Sequence, residues 1–174
     1  MQTVHIRTTG NAPAWGAIYR QYFEDVDKIT GSKGALQVEK KLFVEKNNGK
    51  TRELQVVTDG QPLHRGDKVI VRLTVRADRD MEFVHLKDLR AGCFEPAEQL
   101  AGTTFKDGLW MYHSPEDAAE QFFIHRLPKG TFVMEYSLYV DRTGNYSGGI
   151  STIQCLYAPE FISNTAGSKI LIAD

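Results

Sequence analysis

Cys93 has the most distinctive chemical surroundings in the chain, because Gly92-Cys-Phe-Glu is similar to the Gly-Cys-Gly-Glu-Gln and Cys-Leu-Glu-Gln signatures of an internal thioester. That bond joins the cysteine sulfur to the side chain of a glutamine at the third position after the cysteine. In this chain the third position is Pro96, which has no side-chain amide. The segment therefore cannot form an internal thioester, and we expect Cys93 to be an ordinary small residue in or near the core.

The other residues capable of chemistry do not form a catalytic or metal-binding motif. The histidines lack the short spacings of zinc sites, and neither a CxxC nor an HExxH motif accompanies them. A Gly-x-Ser-x-Gly elbow is also absent. The acidic pairs Glu24/Asp25 and Glu116/Asp117 are better explained as solvated turn residues than as an acid and a base. We therefore expect a domain that is not an enzyme and that uses no metal or cofactor.

The composition is that of a globular domain. Of the 174 residues, 41% are hydrophobic and 25% are charged, which argues against disorder. The formal net charge of −1 provides no general attraction for nucleic acid or for an anionic membrane. No apolar run reaches the roughly eighteen residues of a membrane helix, and the alternating start Met1–Arg7 does not resemble a signal peptide. Both a cytoplasmic protein and a piece of a longer secreted chain are compatible with this start.

Alternation of apolar and polar residues is the strongest structural signal, because every second side chain of a strand lies on the same face. It predicts half-buried antiparallel strands at Leu36–Glu45, Val69–Arg76 and Thr131–Asp141. In the first of these, Lys40 interrupts an otherwise apolar face. These three segments must contribute much of the core.

Less regular alternation predicts further strands at Thr3–Thr8, Ala14–Phe23, Arg52–Val57, Phe83–Leu86, Ala119–Leu127, Gly149–Tyr157 and Lys169–Ala173. Turn-forming clusters rich in Gly, Asn, Asp and Pro separate the strands at the spacing of a sandwich. Single helical turns are predicted at Phe23–Ile29 and at Ser114–Glu120, the second with a Ser N-cap and Pro at the first helical position. Pro96–Lys106 is expected to be irregular. The elements indicate an all-β, Ig-like antiparallel β-sandwich with room for one short helix.

Several segments, taken in order, resemble the C-terminal region of bacterial alpha-2-macroglobulin family proteins, of the kind found in Bacteroidetes and other Gram-negative bacteria. The resemblance spans nearly the whole chain. It is carried by the segments Ala14–Asp25, Leu63–Asp88, Arg90–Pro96, Leu127–Tyr136, Gly144–Ser147 and Leu156–Phe161.

The resemblance implies a single macroglobulin-like β-sandwich over residues 1–174, in which residues 1–30 are an entering strand region. It also implies that the chain is a fragment of a much larger protease-trapping inhibitor. In that family a protease cleaves a bait region, and a thioester, where present, couples the protease covalently. The terminal β domain packs against the helical thioester domain and shields the bond from water. The implied partners are the other domains of the parent chain and, indirectly, target proteases. The implied location is the cell envelope, either the periplasm or the outer-membrane surface.

Shielding a thioester from water requires apolar and aromatic side chains that project from a rigid sheet. Aromatic residues are concentrated in the last third of the chain, and most of them are expected in the core. The candidate contact residues are those in two loop-like segments, Trp110, Met111 and Tyr112 in one and Tyr157, Pro159 and Phe161 in the other. The same residues leave open an alternative function, a stand-alone adhesive or carbohydrate-binding β-sandwich.

Overall fold

The computed structural model describes residues 5, 7, 13, 15, 21–47, 49 and 51–174. This part of the chain contains one 3-10 helix, Val26–Lys28, and fourteen β-strands. The strands are β1 Leu36–Asn47, β2 Arg52–Val56, β3 Leu63–His64, β4 Lys68–Ala77, β5 Met81–Leu89, β6 Phe94–Pro96, β7 Gly102–Lys106, β8 Leu109–Pro115, β9 Ala119–Leu127, β10 Gly130–Val140, β11 Gly144–Ser147, β12 Ser151–Cys155, β13 Ala158–Asn164 and β14 Lys169–Ala173. None of the described residues belongs to a helix long and apolar enough to cross a membrane.

The strands form two large sheets and one small one. The five-stranded sheet has the order β2-β1-β4-β10-β6, and the six-stranded sheet has the order β13-β12-β5-β9-β8-β7. All pairs in these two sheets are antiparallel. The small sheet, β11-β14-β3, contains one parallel pair, β14 with β3. The architecture is the antiparallel sandwich that the sequence predicts.

The core lies between the two large sheets and is built from the inward residues of alternating strands. In β4 the predicted inward set of Val69, Val71, Leu73 and Val75 has no exposed surface. The six-stranded sheet faces it with apolar residues that are almost fully buried, Leu86, Ile124 and Ile153. Burying each of these side chains contributes about 1.5–3 kcal/mol to folding, so this layer dominates the stability.

The strand predictions at Ala119–Leu127 and Lys169–Ala173 are confirmed with unchanged bounds, and the helical turn predicted at Phe23–Ile29 is confirmed as the 3-10 helix. The predicted strands Thr3–Thr8 and Ala14–Phe23 lie largely outside the described residues. So does most of the proposed entering region 1–30. These stay predictions.

The helical turn predicted at Ser114–Glu120 is wrong. Ser114 lies in β8, Glu120 lies in β9, and a tight turn joins the two strands through a hydrogen bond from the Glu116 N–H to the Ala119 carbonyl. The local N-cap signal is overridden because Arg90 donates to the carbonyls of Glu116 and Asp117 and forms an ion pair with the buried Glu120. These contacts need an extended β9, which a helix would not provide.

The prediction that Pro96–Lys106 is irregular is also partly wrong, because its last five residues form β7. β7 and β8 make a two-residue hairpin through Asp107 and Gly108, whose φ angles are 51° and 82°. Positive φ at both central residues is the type I′ geometry that Asp-Gly favours. The Asp107-Gly108 pair could therefore have predicted this hairpin from the sequence.

Candidate contact surface

Eight aromatic side chains form a band along the outer face of the six-stranded sheet, in three groups of rings that contact one another. They come from β7, β8, β9, β5 and the turn after β12. We call this set the aromatic band; its members are Phe83, His85, Phe105, Trp110, Tyr112, Phe123, His125 and Tyr157. Six of these rings are phenylalanine, tyrosine or tryptophan side chains with at least 38% of their surface exposed. Rings of this size are rarely clustered on a surface that faces only water.

Phe83 is the centre of one half of the band. Its ring lies 4.7 Å from the His125 ring and 5.1 Å from the Tyr157 ring, both in edge-to-face contact. Its φ angle is 53°, in the left-handed region that a bulky residue rarely adopts. Backbone strain of this kind is concentrated at functional sites, where the surrounding structure holds it in place.

The strained residue changes which side chains face the core. On β5 the inward residues on either side of Phe83 are Met81 and Val84, three positions apart rather than two. On β9 the matching inward residues are Ile124 and Leu127. Two consecutive residues of each strand therefore point outward, which brings Phe83 to the surface.

The second half of the band is built by cross-strand pairs. His85 on β5 stacks on Phe123 of β9 with centroids 4.6 Å apart, and Phe123 lies opposite Tyr112 of β8. Phe105 on β7 lies opposite Trp110, with centroids 5.1 Å apart. Cross-strand aromatic pairs stabilise a sheet, so these contacts help to hold the rings in place.

The first predicted contact segment lies in strand β8 and not in a loop. Trp110 and Tyr112 are exposed members of the band, 65% and 45% respectively. Met111 between them is 3% exposed and belongs to the hydrophobic core. Alternation along a strand is the reason, and it removes Met111 from the candidate contact residues.

The second predicted segment spans the turn after β12 and strand β13, so the expected loop holds for Tyr157 but not for Pro159 and Phe161. Tyr157 is a band residue with 80% of its surface exposed. Pro159 is exposed on β13, and Phe161 is half-buried against the core with the Arg79 guanidinium 5.4 Å from its ring centroid. A cavity of about 510 Å³ at this end of the band is lined by both Tyr157 and Phe161.

A buried polar cluster lies behind the sheet and explains the interruption at Lys40. Its centre is Asp88 on β5, which has no exposed surface. The Lys40 Nζ lies 2.7 Å from Asp88 Oδ1, the Ser151 Oγ donates to the same oxygen at 2.8 Å, and the Tyr136 hydroxyl donates to Oδ2. Lys40 and Tyr136 belong to the five-stranded sheet, whereas Asp88 and Ser151 belong to the six-stranded sheet. The cluster therefore joins the two layers.

A second buried group is centred on Glu120. Its carboxylate accepts from Arg90 Nη1 at 2.7 Å and lies 2.6 Å from His113 Nε2. Glu120 is opposite Asp88 in the pairing of β9 with β5, so the two groups are neighbours. The His113 ring stacks on Phe122, with centroids 4.6 Å apart.

The residue types of this cluster could in principle perform acid-base chemistry, but their placement argues for a structural role. Ser151 and Asp88 have no exposed surface, so a substrate cannot reach them. Burial, followed by the negative charge of Asp88, raises the pKa of Tyr136 well above its usual value, and the hydroxyl stays protonated as a donor. Every buried side-chain polar atom among the described residues has a hydrogen-bond partner. The cluster is satisfied internally and fixes how the sheets pack.

The cysteines are buried and free. Cys93 has no exposed surface, and burial raises the pKa of its thiol to about 11. A thiol of this kind is a poor nucleophile, in agreement with the expectation that Cys93 is an ordinary buried residue. In the part of the chain that the structure describes, no group of three or more His, Cys, Asp or Glu side chains is arranged to hold a metal ion.

Comparison with known proteins assigns the family. Residues 36–160 match the family model of the bacterial alpha-2-macroglobulin MG10 domain. No curated protein sequence matches the chain.

Three solved structures illustrate the likeness of fold. Salmonella alpha-2-macroglobulin reacted with methylamine matches with a TM-score of 0.65 at 17% identity, over 84% of this chain and 10% of that chain. Escherichia coli alpha-2-macroglobulin activated by porcine elastase matches with a TM-score of 0.67 at 16% identity, over 84% of this chain and 14% of that chain. Native E. coli alpha-2-macroglobulin from domain MG7 to the C-terminus matches with a TM-score of 0.63 at 14% identity, over 83% of this chain and 24% of that chain.

The chain spans between a tenth and a quarter of the length of these structures. At such identities the structural likeness establishes the fold, while the family rests on the match to the MG10 model over most of the chain. The resemblance seen in the sequence is confirmed for the bacterial family, and its Bacteroidetes attribution stays a prediction. The chain belongs to the bacterial alpha-2-macroglobulin family and corresponds to its MG10 domain.

Proposed function

We propose that this domain is a non-catalytic contact module of a protease-trapping alpha-2-macroglobulin, and that the aromatic band packs against the thioester domain of the parent protein and shields it from water. The observation that carries the proposal is the band itself, with Trp110 65% and Tyr157 80% exposed on a rigid sheet. We further propose that the parent protein acts in the cell envelope and meets its target proteases there.

The band has the chemistry of a protein contact. Aromatic anchors provide most of the binding energy in many interfaces, because they bury a large area with few rotatable bonds. The rings here are also fixed by one another, so little conformational entropy is lost when a partner binds. An apolar surface of this kind excludes water from the bond it covers, which is what an internal thioester requires.

The arrangement of the rings favours a protein partner over the adhesive or carbohydrate-binding alternative. The Phe83 and Tyr157 rings are inclined at 89°, and the Phe105 and Trp110 rings at 44°. They therefore form a ridged surface instead of one flat platform on which a sugar ring could stack. Glycan-array binding that is lost with Trp110→Ala would favour the alternative.

The direct experiment measures binding of this chain to the thioester domain of its own parent protein by calorimetry. Trp110→Ala and Tyr157→Ala together should weaken binding at least tenfold, since removing two aromatic anchors costs about 1.4 kcal/mol or more. The matched control is Tyr139→Ala, because Tyr139 is 46% exposed on the outer face of the other sheet. Equal effects of the band variant and the control would contradict the proposal.

Shielding is tested separately in the full parent protein. The rate of thiol release in buffer reports hydrolysis of the thioester, and it should rise in the Trp110→Ala/Tyr157→Ala variant and not in Tyr139→Ala. If binding is lost while thiol release is unchanged, the domain is a contact module that does not protect the bond.

A further inference from the structure

The N-terminal half of strand β1 is an open sheet edge. β1 runs from Leu36 to Asn47, and β4 pairs with it from Leu36 to Val44 on one side. On the other side β2 pairs only with Phe43–Asn47. One further hydrogen bond, from the Val57 N–H to the Leu42 carbonyl, follows before the chain turns away. Among the described residues, positions 36–41 therefore have a strand neighbour on one side only.

The backbone groups of Val38 and Lys40 point toward this open side. In a strand the N–H and C=O of one residue point to one edge, and those of the next residue point to the other. The Ala35 carbonyl accepts from Asp78 on the β4 side, and the Leu42 carbonyl accepts from Val57 on the β2 side. Val38 and Lys40 share the direction of Leu42, so each presents an N–H and a C=O where β2 does not extend.

A groove of about 840 Å³ runs along this edge. It is lined by the open half of β1, by residues 31–33 and by residues 164–170. The lining includes the buried side chains of Val38 and Ile170. The groove thus has room beside the free backbone groups for the alternate side chains of an added strand.

The charges around the groove favour an acidic occupant. Five cationic side chains line it, Lys33, Lys40, Lys41, Arg76 and Lys169, against the two acidic side chains Glu39 and Asp59. Lys40, Lys41 and Lys169 already form ion pairs. Lys33 and Arg76 have no ion-pair or hydrogen-bond partner among the described residues. Lys33 precedes β1, and Arg76 lies on β4 opposite Gln37 of β1, so both line the groove beside the open half of β1.

We propose that the open half of β1 is a strand-addition site for an extended acidic segment from elsewhere in the parent protein. Main-chain hydrogen bonds to Val38 and Lys40 provide the affinity, and Lys33 and Arg76 provide the preference for acidic side chains. The matched proteins are several times as long as this chain, so such a segment has ample sequence from which to come. The site contains no residue of the aromatic band, so this proposal and the proposed function can be refuted separately.

The test uses this chain, isotope-labelled, and a short capped peptide of alternating glutamate and valine. Amide NMR signals of Val38 and Lys40 should shift on titration, and their hydrogen exchange should slow, with a dissociation constant below about 1 mM. The same peptide with lysine in place of glutamate should bind more weakly. Peptide-induced shifts centred on the aromatic band, or none up to about 1 mM, would overturn the proposal.

Charge variants keep the test independent of folding defects. Arg76→Glu should weaken binding of the acidic peptide about two- to fivefold, the range expected for one exposed ion pair. Lys87→Glu is the matched control, because Lys87 is exposed on the other sheet and its substitution changes the net charge equally. Equal affinities of the two variants would refute the role of Arg76.

Val38→Pro removes the N–H that points to the open side without removing a hydrogen bond to β4, and it should abolish binding if the spectrum stays that of a folded protein. Concentration-dependent shifts at Val38 and Lys40 without any peptide would instead identify the occupant as a second copy of the chain, and would overturn the acidic-segment proposal.

Discussion

Replacing Lys40 with methionine is the sharpest test of the buried polar cluster. Lys40 is 11% exposed at its side chain and Asp88 is fully buried, and the two charges lie 2.7 Å apart. Methionine has a similar length and would leave the Asp88 carboxylate with only the neutral donors Tyr136 and Ser151. The carbonyls of Leu89 and Gly148 would also lose the Lys40 Nζ as a donor.

We expect Lys40→Met to lower the free energy of unfolding by about 3–5 kcal/mol, the usual cost of leaving one member of a buried ion pair without its partner. That is a large part of the roughly 5–15 kcal/mol that stabilises a typical domain. The control is Lys41→Met, since Lys41 pairs with Glu39 on the solvent face and both are more than half exposed. It should cost no more than about 1 kcal/mol.

Urea unfolding followed by fluorescence and circular dichroism gives these values at neutral pH. The double variant Lys40→Met/Asp88→Asn should lose about 2 kcal/mol less free energy of unfolding than the two single variants lose together. The reason is that it removes both charges and keeps an acceptor for Tyr136. The reasoning is refuted if Lys40→Met costs less than about 1 kcal/mol, or if the double variant shows no coupling.

Three further predictions concern single positions. Because the pKa of Tyr136 is raised in the folded state, the free energy of unfolding should fall above about pH 10, by about 1.4 kcal/mol per pH unit. Tyr136→Phe should lack this contribution to the loss of stability, which urea unfolding between pH 9 and 11 measures. Gly149→Ala should destabilise far more than Gly66→Ala in thermal unfolding, because a Cβ at Gly149 would lie 2.2 Å from the Leu89 carbonyl oxygen, whereas Gly66 faces open space; comparable losses would contradict this. Phe83→Asn should relieve about 1 kcal/mol of backbone strain, which offsets the loss of the ring contacts and leaves the melting temperature little changed. Its binding to the thioester domain should be weaker. A loss of several kcal/mol of stability would show that the ring supports the fold.

The sandwich could be predicted from the sequence because its central strands alternate strictly. β4 and β10 pair over ten residues, and their inward side chains lie directly opposite each other. Alternation is a local property that can be seen directly in the sequence. Lys40 was visible as an exception to the pattern. Its partner was not, since Asp88 lies forty-eight positions away and on the other sheet.

The exposed aromatic band was predicted only in part. Trp110, Tyr112 and Tyr157 were named from their residue types and are exposed, but Met111 was included because the segment was expected to be a loop, where neighbours need not alternate. Phe83 and Phe105, which also belong to the band, were missed. Phe83 reaches the surface through a strained φ angle that nothing in the sequence signals, whereas Phe105 could have been found from the Asp-Gly hairpin beside it.

The parallel pairing of β14 with β3 bears on how the domain is made. Leu63 is 1% exposed, and Ile172 is its partner in the ladder. At about 5–20 residues per second, the ribosome adds Ile172 roughly 5–20 s after Leu63. During that interval the backbone groups of β3 have no strand partner among the described residues, because β14 is the neighbour of β3 in the small sheet. The small sheet can therefore close only late in synthesis.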